Sequence, residues 1–301
     1  MTATPHSVRV SVLHWKRPVE CCATVAALRA QGVAMDLTVV DNHSSPAHVA
    51  HLRGQLPTDV ELLELDENVG WGAAHNRVAR RWLSEEDTPY LLVSAHDALP
   101  EPGCVKKLVD AMAAHPRWGM ACPDYGTAEL PSFSTLRGAR LRSAEARAPG
   151  THEEVDFCHG TLALFRRDCL SDIGLYDESY FAYGDETEIG VRARRRGWAV
   201  GLVWGATVVN PGSWSGDAVI GYLWTRNSLR LAKTFGGSAA VAGRLGVVLA
   251  ATLRETLRGA PAGSLSSPAA RMRAIADYLR GYAGGPPPSV VALNRPRAAG
   301  R

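Results

Sequence analysis

No Cys-x-x-Cys pair occurs among the six cysteines of this 301-residue chain. Cys21 and Cys22 are adjacent and the rest are scattered, so neither a disulfide framework nor a zinc site follows, and a reducing cytoplasm is expected. No apolar run approaches the roughly 18 residues a spanning helix needs. The first residues, Met1 to His6, lack the charged and apolar blocks of a secretory signal. A net charge of +3 is too small to argue for nucleic acid. What remains is an ordinary globular balance of 46% hydrophobic and 21% charged residues, which argues against disorder. The length suffices for one large α/β domain or a domain with an appendage.

Strand and helix patterns alternate. Strands are expected at 8–13, 36–41, 60–65, 90–94, 155–165 and 198–209. Helices are expected at 19–30, at 222–235, at 241–258 and at 271–282, and a 68–76 loop opens another that reaches about Leu83. The polar, Arg-rich stretch 127–154 reads as a long excursion. Gly236-Gly237 punctuates the helical end of the chain, and a Pro-rich tail closes it. Such alternation means βαβ units and a mostly parallel sheet. Ligands of such a sheet sit outside the carboxyl ends of its strands. The polar clusters His14 to Pro18, Asp41 to Pro46 and Ala95 to Asp97 all fall there.

Asp185, Glu186 and Glu188 lie at a loop-to-helix junction, where the helix dipole and unpaired N–H groups favour carboxylates. Taken alone, they read as a helix cap. Asp41 taken alone reads as a turn former at a strand end. Gly70-Trp71-Gly72 follows a strand and opens a helix, but His75 replaces the third glycine of a dinucleotide fingerprint. Cys158 and His159, as neighbours on a strand, would face opposite ways and could not pair as nucleophile and base. Arg254, Arg258, Arg271, Arg273 and Arg280 read as a solvated helix face, with anionic lipid as the lesser alternative.

In this order the motifs resemble the inverting family 2 glycosyltransferases over roughly the first 235 residues. The resemblance rests on Val39-Val40-Asp41-Asn42-His43-Ser44-Ser45, on Asn68, Gly70, Trp71 and Asn76, on the Gly160 strand, on Tyr183-Gly184-Asp185-Glu186 and on Arg226-Asn227. It implies an α/β, GT-A-like nucleotide-diphospho-sugar transferase fold, with a mostly parallel central sheet flanked by helices. Residues 1–235 would form the catalytic domain, with a nucleotide-binding half to about 125 and an acceptor half beyond it. Residues 236–301 would be a C-terminal helical extension with a loose tail.

The resemblance also implies roles. Glu186 stands where the general base belongs, with Glu in place of the family's usual Asp, and Asp185 would orient it or a sugar hydroxyl. Asp41 would accept a hydrogen bond from the N3–H of uracil or thymine, with His14, Trp15 and Arg17 as the other wall. Asn68, Gly70, Trp71, Asn76, His96 and Arg226 would complete the nucleotide-sugar site. Asp97, with Asn210 as a weak second ligand, would hold Mg²⁺ or Mn²⁺. His159, Gly160, Tyr183 and Trp214 would face the acceptor.

The implied activity is metal-assisted, inverting hexosyl transfer from a dTDP- or UDP-sugar to a hydroxyl or amine of a small molecule or glycan. The closest subgroup is rhamnosyltransferase-like. Bacterial cell-wall or secondary-metabolite synthesis, a cytoplasmic location with peripheral contact at the inner membrane face, and a homodimer are expected alongside. A non-catalytic sugar-nucleotide-binding relative and a dinucleotide-dependent oxidoreductase are the alternatives.

Overall fold

Every residue of the first strand, Val8–His14 (β1), is buried, as befits a parallel strand covered on both faces. The computed structural model describes residues 8–210, 215–258 and 267–294. It divides into two units: one holds residues up to 132, 141–177 and 186–211, the other 133–140, 178–185 and 212–301.

In the first unit, β1 is followed by α1 (Pro18–Arg29), β2 (Met35–Asp41), α2 (Pro46–Gln55), β3 (Glu61–Glu64), α3 (Trp71–Glu85) and β4 (Tyr90–Ala95). Then come β5 (Leu99–Pro100), α4 (Cys104–Ala114), β6 (Trp118–Asp124), β7 (Glu129–Ser134) and β8 (Gly138–Ser143), whose residues 133–140 count with the second unit, β9 (His152–Glu154) and β10 (Leu162–Arg166). The series closes with α5 (Arg167–Ile173), α6 (Asp185–Arg195) and β11 (Ala199–Val209). Pro18 and Pro46 occupy first-turn positions of their helices, and the Ser45 hydroxyl accepts from His48 N–H to cap α2. Gly70, at φ 87° and ψ −174°, starts α3 in a conformation that suits glycine.

The main sheet has nine strands in the order β3-β2-β1-β4-β10-β6-β11-β5, with β9 also on β11. It is more mixed than expected. β3, β2, β1 and β4 run parallel, as do β6 and β11, but β10 is antiparallel to both β4 and β6. Side chains alternate across it. Val10, Val12, Val39 and Leu92 feed one core layer, and Leu13, Val40, Leu91 and Val93 the other.

Two expectations are corrected here. Residues 127–154 carry the paired strands β7 and β8 and the short strand β9. The strand expected at 155–165 is β10 alone; Val155, Phe157 and Cys158 are buried without joining a strand.

The second unit contains α7 (Asp217–Arg258), α8 (Pro268–Leu279) and α9 (Pro288–Val291). The expected break at Gly236-Gly237 is a kink at Gly237, with φ 70° and ψ −164°. Ser267 caps α8 through Ala270 N–H. The Tyr222 hydroxyl donates to Asp277 at 2.9 Å, and Ala218, Tyr222, Ala270, Ala274 and Val290 pack around it. By length and composition α7 qualifies as a membrane-crossing helix, contrary to the reading that no run comes close.

Candidate functional site

The ends of β1 and β2 fix the first part of the site. Their register sets His14 beside Asp41. His14 Nδ1 lies 2.7 Å from Asp41 Oδ1, and His14 Nε2 accepts from Arg17 N–H at 3.1 Å. That network assigns the proton to Nδ1, so the imidazole donates to the carboxylate. Asp41 Oδ2 accepts from Ser44 N–H at 2.9 Å. Burial pushes the Asp41 pKa up, but the hydrogen bonds from His14 and Ser44 outweigh it and leave the carboxyl below its ordinary value. Both side chains are almost wholly enclosed. Trp15 and Arg17 are half-buried beyond them, with Lys16 between at φ 60°.

The next loop is knitted by two asparagines. Asn42 Nδ2 donates to Asn68 Oδ1 and to Gly70 O, and Asn42 Oδ1 accepts from Val69 N–H. Asn76 is turned elsewhere: its amide donates to Tyr176 O and accepts from Tyr176 N–H. It pins the segment before α6, a structural duty in place of the expected nucleotide contact. Trp71 packs edge-on against His75 with ring centres 4.5 Å apart. His75 fills the position of the third fingerprint glycine and is fully buried.

At the end of β4, His96 and Asp97 meet the start of β10. Ala95 N–H donates to Thr161 O, which sets His159 and Gly160 along the same edge. His96 Nδ1 is 3.3 Å from Leu13 O, and its buried Nε2 has no hydrogen-bond partner. Its ring stands 6.2 Å from that of His14. Burial lowers the His96 pKa, and Asp97 opposes that shift. Asp97 itself is 6% exposed. Asn210, just past β11, donates from Nδ2 to Thr161 Oγ1 at 2.8 Å, and the same hydroxyl lies 3.2 Å from His159 Nδ1.

Glu186 stands in the first turn of α6. A Cβ on Gly160 would lie 4.0 Å from its carboxyl carbon, an ordinary contact distance that puts the carboxyl over the β10 edge. Glu186 and His159 line one small cavity with Tyr176 and Ile189. Burial lowers the His159 pKa while Glu186 and Glu129 oppose it. Of the other acids in the cluster, Glu188 is held by Arg192 at 2.8 Å.

The first unit therefore gathers His14, Asp41, His96, Asp97, His159, Gly160, Glu186 and Asn210 on one edge of its sheet. Asp185 and Tyr183 belong to the second unit, and Asp185 is 1% exposed. Arg226 is a correction. It is fully buried, and its guanidinium donates to Tyr180 O, Gly284 O and Asn227 Oδ1. It braces the second unit's 178–185 loop from a position with no exposure, which is a structural duty in place of the expected nucleotide contact. Asn227 assists by donating to the carbonyls of Tyr180, Ala182 and Tyr183. Trp214 lies outside the described residues.

Two members of the site were not read from sequence. Thr161 links His159 to Asn210, and the Tyr125 ring lies 4.2 Å from that of His159. Thr161 directly follows Gly160, so its place at the strand start was the available signal. A larger cavity of about 540 Å³ opens at the starts of β6 and β11, lined by His115, Trp118 and Trp198. It holds none of the motif residues.

For a divalent cation the donor set is thin. Among the described residues no three His, Cys, Asp or Glu side chains converge on one point. Asp97 offers one carboxylate and Asn210 one amide. Hard cations want several oxygen ligands, so these residues fit an ion that arrives with a diphosphate, not a resident one.

A family model described as glycosyl transferase family 2 matches residues 20–174. The N-acetylglucosaminyl-diphospho-decaprenol L-rhamnosyltransferase of two Mycobacterium tuberculosis strains is 27% identical over 46% of this chain and 55% of its own length. The chain thus spans about half the length of those curated relatives. Among solved structures, a mannosyltransferase from Pyrobaculum calidifontis in complex with GDP-Man and Mn²⁺ is 16% identical, with a TM-score of 0.58 over 93% of this chain and 82% of that one. GalNAc-T7 with UDP, GalNAc and Mn²⁺ is 12% identical, with a TM-score of 0.58 over 92% of this chain and 56% of that one. S. aureus TarS 1–349 is 14% identical, with a TM-score of 0.53 over 96% of this chain and 83% of that one. These likenesses establish the GT-A glycosyltransferase fold.

Proposed function

The chain belongs to glycosyl transferase family 2, and from that premise we propose that it transfers rhamnose or a related sugar from a dTDP- or UDP-linked donor, with inversion. The acceptor we propose is a sugar hydroxyl on a glycan intermediate, by analogy with the diphospho-decaprenol substrate in the relatives' name. The observation that carries the reading is the placement of Glu186 over Gly160, on the β10 edge that also meets His96, Asp97 and Asn210.

Glu186 takes the acceptor proton as the hydroxyl oxygen attacks the anomeric carbon. The new glycosidic bond forms on the face opposite the departing diphosphate, whose bond to that carbon breaks. Asp41, held by His14 and Ser44, is a fixed acceptor for the imide N3–H of the base. With Nδ1 facing Leu13 O, the unpartnered His96 Nε2 is an acceptor and suits a hydroxyl of the donor sugar. Asp97 and Asn210 would hold Mg²⁺ or Mn²⁺ brought by the donor, an ion whose chemistry is to neutralise charge on the leaving diphosphate. Six free cysteines support a reducing, cytoplasmic setting.

The test compares parent and Glu186→Gln with dTDP-rhamnose and UDP-sugars, measuring donor binding by calorimetry and turnover on a glycan acceptor by release of the nucleoside diphosphate. Loss of a positioned general base predicts a kcat fall of about 10²- to 10⁴-fold with donor affinity retained. Full turnover in Glu186→Gln would reject the base assignment. Failure of the parent to bind any nucleoside diphosphate would reject the donor class.

A further inference from the structure

Beyond the kink at Gly237, α7 is built inside out. Two of its charged groups point inward: Arg244 donates to Ser228 Oγ at 3.0 Å and to Leu136 O at 3.3 Å, and Glu255, 9% exposed, pairs with Arg271 at 2.9 Å. The outward arc carries Gly246, Val247, Leu249, Ala250, Leu253 and Leu257. Spacings of three, four and seven residues place them on one stripe. Leu249, Leu253 and Leu257 are 41%, 60% and 75% exposed. A helix facing water shows the reverse arrangement. Only 11% of the most apolar window of α7 is buried.

Spanning does not suit this helix, because its inner face is occupied. Val248 packs with Leu229 and Ile275, and the Glu255–Arg271 pair ties it to α8. Only one face is left to meet an apolar phase, which is the condition of a helix lying in a membrane interface.

Charge selects the occupant. Residues 217–294 hold nine Arg and Lys against three Asp and Glu, whereas residues 1–216 hold 21 against 27. Arg254 is exposed beside Leu253 and Leu257. On α8, Met272 and Leu279 are exposed with Arg273 and Arg280. A second copy would bring this cationic face against itself, while an anionic bilayer complements it.

We propose that the outward face of residues 246–257 docks on an anionic phospholipid bilayer, with its leucines at the acyl boundary and Arg254 among the headgroups. Vesicle binding is separable from sugar transfer, so a failed donor assay and a failed docking assay are different results. The purified full chain is floated with phosphatidylglycerol–phosphatidylcholine vesicles and with phosphatidylcholine vesicles alone. The anionic vesicles should carry it and the neutral ones should not. Leu253→Ser with Leu257→Ser should weaken partition at least about tenfold, and Arg254→Glu by about fivefold or more. Circular dichroism and donor turnover should match the parent in both variants. Docking is overturned if the parent fails to float with anionic vesicles, floats equally with neutral ones, or floats undiminished in the leucine variant. A parent dimer that the leucine variant renders monomeric, without any flotation, would assign the face to a second copy instead.

Discussion

Acid should unfold this protein partly through His75. The ring has no exposure; Nδ1 lies 2.8 Å from Ser11 Oγ, and Nε2 has no partner. It also sits near the start of α3, where a cation is disfavoured. Burial lowers its pKa from 6.5 to about 3. On unfolding the imidazole regains its ordinary value. Between those two pH values the unfolded chain therefore binds a proton that the folded chain refuses, and stability falls as pH falls. The contribution is intact above about pH 6.5 and stops changing near pH 3. With these two values, going from pH 7 to pH 5 costs about 2 kcal/mol, and going on to pH 4 brings the loss to about 3 kcal/mol.

Urea unfolding of the parent and of His75→Gln, at a series of pH values, isolates this one group. Glutamine can still hydrogen-bond Ser11 but does not titrate. Other histidines, including His96 and His159 with their own lowered values, titrate in both proteins and largely cancel. The stability difference between parent and variant should therefore change by about 2 kcal/mol between pH 7 and pH 5, in the variant's favour. Parallel pH curves would refute the reasoning, because they would mean the ring is already hydrated or charged in the fold.

Asn227→Ala should cost about 2 kcal/mol, since two buried N–H donors that serve three carbonyls are lost. Phe181 and Tyr183, held at φ 67° and 63°, should then relax, read as faster amide exchange over 181–184. An unchanged exchange pattern would mean the loop is held by something else. Gly201→Ala should destabilise by about 1–3 kcal/mol or more, because the new Cβ would fall 2.0 Å from the Trp118 ring. Near-ultraviolet circular dichroism should register the displaced indole, and an unaltered spectrum with unaltered stability would contradict the packing.

The strand ends were the legible part of the site. Asp41, His14 and Asp97 stand where apolar strands give way to polar loops, and a parallel sheet gathers such ends on one edge whatever the helices between them do. Residues 101–126 were left unassigned, although Val105, Leu108, Val109 and Met112 have helical spacing and are all buried in α4. The β7–β8 hairpin was missed because β8 is largely exposed and Arg-rich, with no apolar alternation to declare it. Val155 to Cys158 misled in the opposite direction: burial without a ladder gives the same apolar run as a strand.

Arginine is where reading by residue type runs out. Arg226 was expected at the nucleotide-sugar site, and Arg244 only as a residue of the 241–258 helix. Both are inside the second unit, with guanidinium groups directed at oxygens such as Tyr180 O, 46 positions from Arg226, and Leu136 O, 108 positions from Arg244. Composition marks a helix as amphipathic but does not say which face is in. For α7 beyond Gly237 the answer depends on α8, whose Arg271 supplies the inward partner that Glu255 needs. Once that pair is satisfied inside, the leucines have only the outer face left, and an apolar outer face on a cationic unit needs a cover that water cannot supply.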